Sequence, residues 1–349
     1  MRTSICFRCL SKLSVVLLCA LPTLGADSGY HLLNKYTFGA APGGREYFDY
    51  ITVDAAARRV YMSHGTEVLV ADADSGALVG QVPGLTRCHG IALAKNLGRG
   101  FISDGDQGKI VVFDLKTLKV ISQVDAAKDA DCIIYDPGSK HVLSFNGDSQ
   151  TSTVVDPATG KVVGTITLPG APEFAVADGH GLIYNNLEDK NEVEVIDSRA
   201  LKVKSEWPVA PAGTPTALAA DFAHHRLFIA GRNPAMLVIM DADNGKVIQS
   251  FPISGGADAN YFDSGSGQIF VSTGEGYIHV FHQDSPDHYS EVEKVKTERG
   301  AKTMSFDAKT GHIFVDTSEF GPAPAPTAEH PHPRPAPIPG TFHLLVYGK

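Results

Sequence analysis

Short apolar runs, each closed by an aspartate and a turn, recur along almost the whole chain. Val70-Ala71-Asp72, Val112-Phe113-Asp114, Val154-Val155-Asp156, Val195-Ile196-Asp197 and Ile239-Met240-Asp241 follow one another at intervals of 42, 42, 41 and 44 residues. A degenerate copy, Val280-Phe281-His282, comes 41 residues later, and the last, Leu345-Val346-Tyr347, only after a further 65. A second series keeps the same period: apolar stretches end at Asp54, Ala94, Asp136, Asp178, Asp221, Asp263 and Asp307, 40 to 44 residues apart. A tight turn then leads into another run, such as Val60-Tyr61-Met62, Leu227-Phe228-Ile229 or Ile269-Phe270-Val271. Runs this short, rich in β-branched and aromatic residues and bounded by Asp, Gly and Pro, read as strands. No segment carries a sustained helical period. A repeat of ~40–45 residues with about four strands per unit predicts an all-β chain folded as a seven-bladed β-propeller of four-stranded antiparallel blades.

The units do not divide evenly. The last stops at Thr341–Tyr347, on its third strand, while a spare strand, Tyr30–Phe38, precedes the first unit. The amino-terminal strand is therefore expected to complete blade seven from outside, leaving no open edge at the junction. Residues 27–349 would then form one domain, with a proline-rich loop at 321–340 inserted in blade seven.

The first 26 residues stand outside the pattern. Arg2, Arg8 and Lys12 precede an apolar run, Leu13 to Leu21, and Leu24-Gly25-Ala26 ends in small residues, the layout of a cleaved secretory signal. The run is short for a bilayer span, so a periplasmic or secreted protein, not integral to the membrane, is expected. Lys+Arg number 30 against 39 Asp+Glu, a formal charge of −9, and the leader removes only cations. Nucleic-acid phosphates need a basic surface, so no nucleic-acid partner is expected. Three of the five cysteines leave with the leader. Cys88 and Cys132 remain in a compartment that permits a disulfide, and the sequence leaves their pairing open.

Strands such as Val60–Ser63 and Ile269–Ser272, combined with a later V-x-V-x-D-x-x-T-G-K pattern kept best at Thr153–Lys161, resemble the repeats of YncE-like, YVTN-repeat propellers. The resemblance covers nearly all of residues 27–349. It departs where that family usually has Asn after the second strand: Asn146 and Asn186 keep it, while His64, Asp104, Gly231, Thr273 and Thr317 replace it. The resemblance implies an architecture and an extracytoplasmic location, and no particular reaction. More distantly, the repeats are similar to those of propeller lactonases.

In a propeller the first strand of each blade lines the central channel, and the loops leading into those strands form one mouth. Five residues before the Asp54 position stand Asp49, His89, Asp131, Glu173, Thr216, Asp258 and Lys302, polar in every blade. Two residues further on the chain is mostly apolar, as at Ile51, Ile91, Ile133 and Leu218. Such a ring is the candidate ligand-binding set. Its carboxylates, Asp49, Asp131, Glu173 and Asp258, could hold a divalent cation such as calcium, or the ring could take a cationic or polyhydroxy ligand. Crowded carboxylates raise one another's pKa unless a cation intervenes. The sequence shows no nucleophile elbow and no Ser/His/Asp arrangement, so no catalytic residue is assigned.

The leading expectation is a monomeric binding module for a small molecule, a glycan or an envelope protein. The alternatives are a metal-assisted lactonase-type hydrolase, against which the charge of Lys302 counts, and a structural or assembly scaffold. The stretch from Phe320 to Gly340 holds eight prolines and should form an extended polyproline arm over the same mouth. Glu329, His330 and His332 within it form a weaker metal-chelating group. His224-His225 reads as a solvated turn on the opposite face.

Overall fold

Seven four-stranded antiparallel sheets make up the described part of the chain. The structure, a computed structural model, describes Met1 and residues 29–327 and 333–349. The leader after Met1 and the Glu329, His330 and His332 group therefore lie outside the described residues.

Blades one to six each run from the channel outward in chain order. Blade one consists of Ile51–Asp54, Arg59–His64, Glu67–Asp72 and Leu78–Pro83. Blade seven is composite. Met304–Asp307, His312–Thr317 and His343–Gly348 supply its first three strands, and His31–Thr37 pairs antiparallel with His343–Gly348 as the fourth. The strand spare at the amino terminus thus fills the place vacant at the carboxyl terminus.

Middle strands are apolar almost continuously because each blade is covered on both faces by its neighbours. Successive residues then serve two different cores. Val60 and Met62 pack toward blade seven, whereas Tyr61 packs toward blade two. Seven apolar clusters result, one at each blade–blade interface. The closing interface is among them: Phe48, Ile51 and Val60 meet Phe314, Phe342 and Val346.

The recurring aspartates are explained by turn chemistry. Asp72, Asp114, Asp156 and Asp197 accept backbone N–H groups two and three residues on, for example from Ser75 at 2.8 Å and Thr117 at 2.7 Å. These are Asx turns, which pin the hairpin to each outer strand. Asp136, Asp178 and Asp263 do the same after the inner strands. Among the described residues no helix is long and apolar enough to cross a membrane.

Candidate functional site

Asp49, His89, Asp131, Glu173, Asp258 and Lys302 line one cavity of about 260 Å³ at the channel mouth. Local backbone geometry puts them there. In blades two to six the register between the first and second strands shifts at this position: between Cys88 and Ile91, Ala130 and Ile133, Pro172 and Ala175, Pro215 and Ala217, and Ala257 and Ala259. Each ring residue of these blades lies within its irregularity, and a bulge of this kind re-aims a side chain and ends regular pairing. Small polar residues near the end of the second strands bind the backbone groups so released. Ser63 Oγ accepts the Asp49 N–H at 2.7 Å, Ser103 Oγ accepts that of Gly90 at 2.8 Å, and Asn185 donates to the Glu173 carbonyl at 2.8 Å. Thr216 is the ring member that turns away: it is buried, and its hydroxyl donates to the Ala257 carbonyl at 2.7 Å, tying blade five to blade six.

The remaining six fall into three electrostatic groups. His89 is only 1% exposed, and its Nδ1 lies 2.7 Å from Asp49 Oδ2 and 3.3 Å from Asp131 Oδ1. The Tyr47 hydroxyl donates to Asp49 at 2.9 Å. Burial alone would lower the imidazole pKa, but Asp131 and Asp49 outweigh it and raise it to about 10, so His89 is an imidazolium at neutral pH. Burial likewise pushes Asp49 up, yet the His89 hydrogen bond and the Lys302 charge hold it at about 2. Asp131, farther from the ring nitrogen, is raised by burial in spite of His89.

In the second group Asp258 accepts from both Arg232 and Lys302. Burial opposes the charge on each cation, and Asp258 more than offsets it, leaving both pKa values raised. In the third, burial and a hydrogen bond to Glu188 drive the Glu173 carboxyl well above the usual range.

The expected cation set of Asp49, Asp131, Glu173 and Asp258 is therefore divided. Asp258 is taken by two cations and Glu173 by Glu188. Among the described residues, Asp49, His89 and Asp131 are the group whose ligating atoms lie close enough to surround an ion, within 4.8 Å of one another. The two carboxylates favour an imidazolium there, and that proton competes with an entering cation. Cys88 and Cys132 are both free and buried, in different interblade cores. The Cys88 thiol donates to the Glu67 carbonyl at 3.1 Å, and burial raises it to about 12.

A second chamber of about 460 Å³ adjoins the first and shares Tyr47, Phe48, Arg232, Lys302 and Arg334 with it. The proline-rich arm forms part of its wall. The arm links the second and third strands of blade seven, as the repeat pattern implies, and its base is a short ladder. Phe320 bridges to Pro337, Gly321 N–H donates to the Ala336 carbonyl at 2.9 Å, and Ile338 N–H to that of Glu319 at 2.8 Å. The Phe320 ring lies 6.4 Å from that of Phe48.

The division into two lobes has a signal in the chain. Two residues before each ring member stand Tyr47, Arg87, Asp129, Ala171, Thr214, Gly256 and Gly300. Large polar residues crowd the side of blades one to three, and glycines open the side of blades six and seven. Arg232 stands one past the Gly231 position, where four other blades have glycine, and Arg334 lies in the insertion; that both reach the mouth is seen only in the tertiary structure.

One serine–histidine–carboxylate array does exist away from the chambers. His279 Nδ1 lies 2.7 Å from Glu291, and Nε2 lies 3.1 Å from Ser254 Oγ. Nε2 also accepts the backbone N–H of Ser254 at 2.9 Å. Its lone pair is thus already engaged, and the array clasps blade five to blade six.

Fold and site together define a class: a seven-bladed β-propeller with a charged, two-lobed chamber at one channel mouth. No family model and no curated protein sequence matches the chain. Among solved structures it is similar to Kuenenia stuttgartiensis hydrazine synthase, at 13% identity and a TM-score of 0.68, over 76% of this chain and 91% of that one. At so low an identity the likeness shows the propeller fold alone.

Proposed function

We propose that the protein is an exported, YncE-like propeller that works as a binding module, holding a small molecule at the channel mouth. The joined chambers of about 260 and 460 Å³ carry this reading. Together they match the size of small-molecule sites, and His89, Asp131, Asp258 and Lys302 are held by bulges or mutual ion pairs before any ligand arrives. The leader pattern of residues 1–26 supports export. The lactonase-type alternative has less support. Among the described residues, the trio able to surround an ion already holds an imidazolium between its two carboxylates, which competes with a cation.

The test is a thermal-shift screen of chemically diverse small molecules on the leader-free protein and on Arg232→Ala. A true ligand raises the wild-type melting temperature, by about 2.7 kcal/mol of stability at a hundred times its Kd, and does so less in the variant. If no compound shifts the wild type, or if every shift is the same in both, the mouth is not a binding site and a scaffold role gains. Export is checked by fractionation: the full chain should leave the cytoplasm, and a version lacking residues 2–26 should stay.

A further inference from the structure

We infer that the larger chamber takes an organic anion, a molecule with one acidic head and an apolar body. The inference rests on the binding-module reading and narrows it. Its basis is a mismatch between wall and charge. Phe48, Phe320, Pro335 and Pro337 present apolar surface, while Arg232, Arg299, Lys302 and Arg334 supply four cations against the single carboxylate of Glu46. Glu46 is already committed, accepting the Ala41 N–H at 2.9 Å and lying 3.0 Å from His64. Arg232 and Lys302 share Asp258. Arg299 and Arg334 meet no carboxylate among the described residues.

Two guanidinium groups beside an apolar wall suit a bidentate acidic head more than an amine or a sugar. Space for the body comes from the glycine side of the mouth. At the base of the arm, Phe320 seats on Gly300, where an added Cβ would come within 2.5 Å of the ring, and so forms part of the chamber wall. The body would lie against the wall that Phe48 and Phe320 form together, with the head toward Arg299 and Arg334.

Three probes of equal shape separate the contributions: 4-phenylbutanoate, its amide, and 4-phenylbutylamine, titrated calorimetrically on the leader-free protein. The carboxylate should bind, the amide about tenfold or more weaker, the amine weakest, since each charged hydrogen bond is worth about 1.5–3 kcal/mol. Arg299→Ala and Arg334→Ala should each weaken the carboxylate about tenfold and leave the amide and the melting temperature of the free protein unchanged. Phe320→Ala should weaken carboxylate and amide alike. Equal binding of carboxylate and amide, preference for the amine, or no binding of the carboxylate overturns the inference. If the anion fails while a neutral or cationic compound from the wider screen binds in an Arg232-dependent way, the binding-module reading stands and only the ligand class is wrong.

Discussion

His89 holds two carboxylates together in the wall of the channel-mouth cavity. Replacing it with leucine leaves Asp49 and Asp131 buried without a counter-charge, and urea unfolding should show a loss of about 3–5 kcal/mol. Adding Asp131→Asn to that variant should recover part of it. The folded protein binds the His89 proton more tightly than the unfolded chain, with pKa about 10 against 6.5. Its stabilisation is complete below pH 6.5 and is lost as pH rises toward 10. Glu194 adds to the same alkaline loss. It is fully buried with both carboxyl oxygens unpartnered, and burial raises its pKa from 4.5 to about 8. Stability from its neutral form is complete below pH 4.5 and declines as pH climbs through 8. Glu194→Gln should therefore flatten the melting temperature between about pH 5 and 8. An unchanged pH profile would show that Glu194 ionises freely. Burial lowers His64 and His279 instead. Their contribution is full above pH 6.5 and falls as acid protonates them.

At the scale of elements, the bulge at the start of the inner strands does most to make the site, because it converts a lining strand into a side-chain platform. The proline-rich arm is the other such element, and its two parts differ. Phe320 packs into the blade seven–blade one core beside Phe48 and Phe342, whereas residues 322–327 are exposed. Replacing residues 322–333 by a short Gly/Ser turn should change the melting temperature little, while Phe320→Ala should cost about 1–3 kcal/mol. A large loss from the first change would mean that the polyproline segment is itself docked. Equal effects would remove the distinction between anchor and arm.

For the whole molecule, closure is decisive. The amino-terminal strand is exposed along most of its length, yet it reaches three blades. Tyr30 meets Phe270 of blade six at 5.4 Å and its N–H donates to Glu293 at 2.8 Å. His31–Thr37 pairs within blade seven, and Tyr36 packs into the core shared with blade one. Arg58 of blade one adds a tie at the far end, donating to Asp307 of blade seven at 2.5 Å. A version beginning at Gly43 should lose the pairing and both tyrosine anchors, lowering the melting temperature by more than roughly 10 °C. An unchanged temperature would show that the seven interblade cores close the ring unaided.

The period, the strand type, the blade count and the strap that closes blade seven all depend on local rules repeated along the chain: apolar runs, Asx turns and one unmatched strand. Repetition also made the ring position legible, because equal places in a repeat become equal places around an axis. It could not say how the ring members pair. Asp131 reaches His89 and Asp258 reaches Lys302 across neighbouring blades, so the charge state of each depends on burial and on partners about forty residues away in sequence. The turning away of Thr216, the arrival of Arg232 and Arg334 at the mouth, and the glycine-lined second chamber were decided in the same way. They follow from bulge geometry and from distances across a channel, and the order of residues along the chain does not encode these directly.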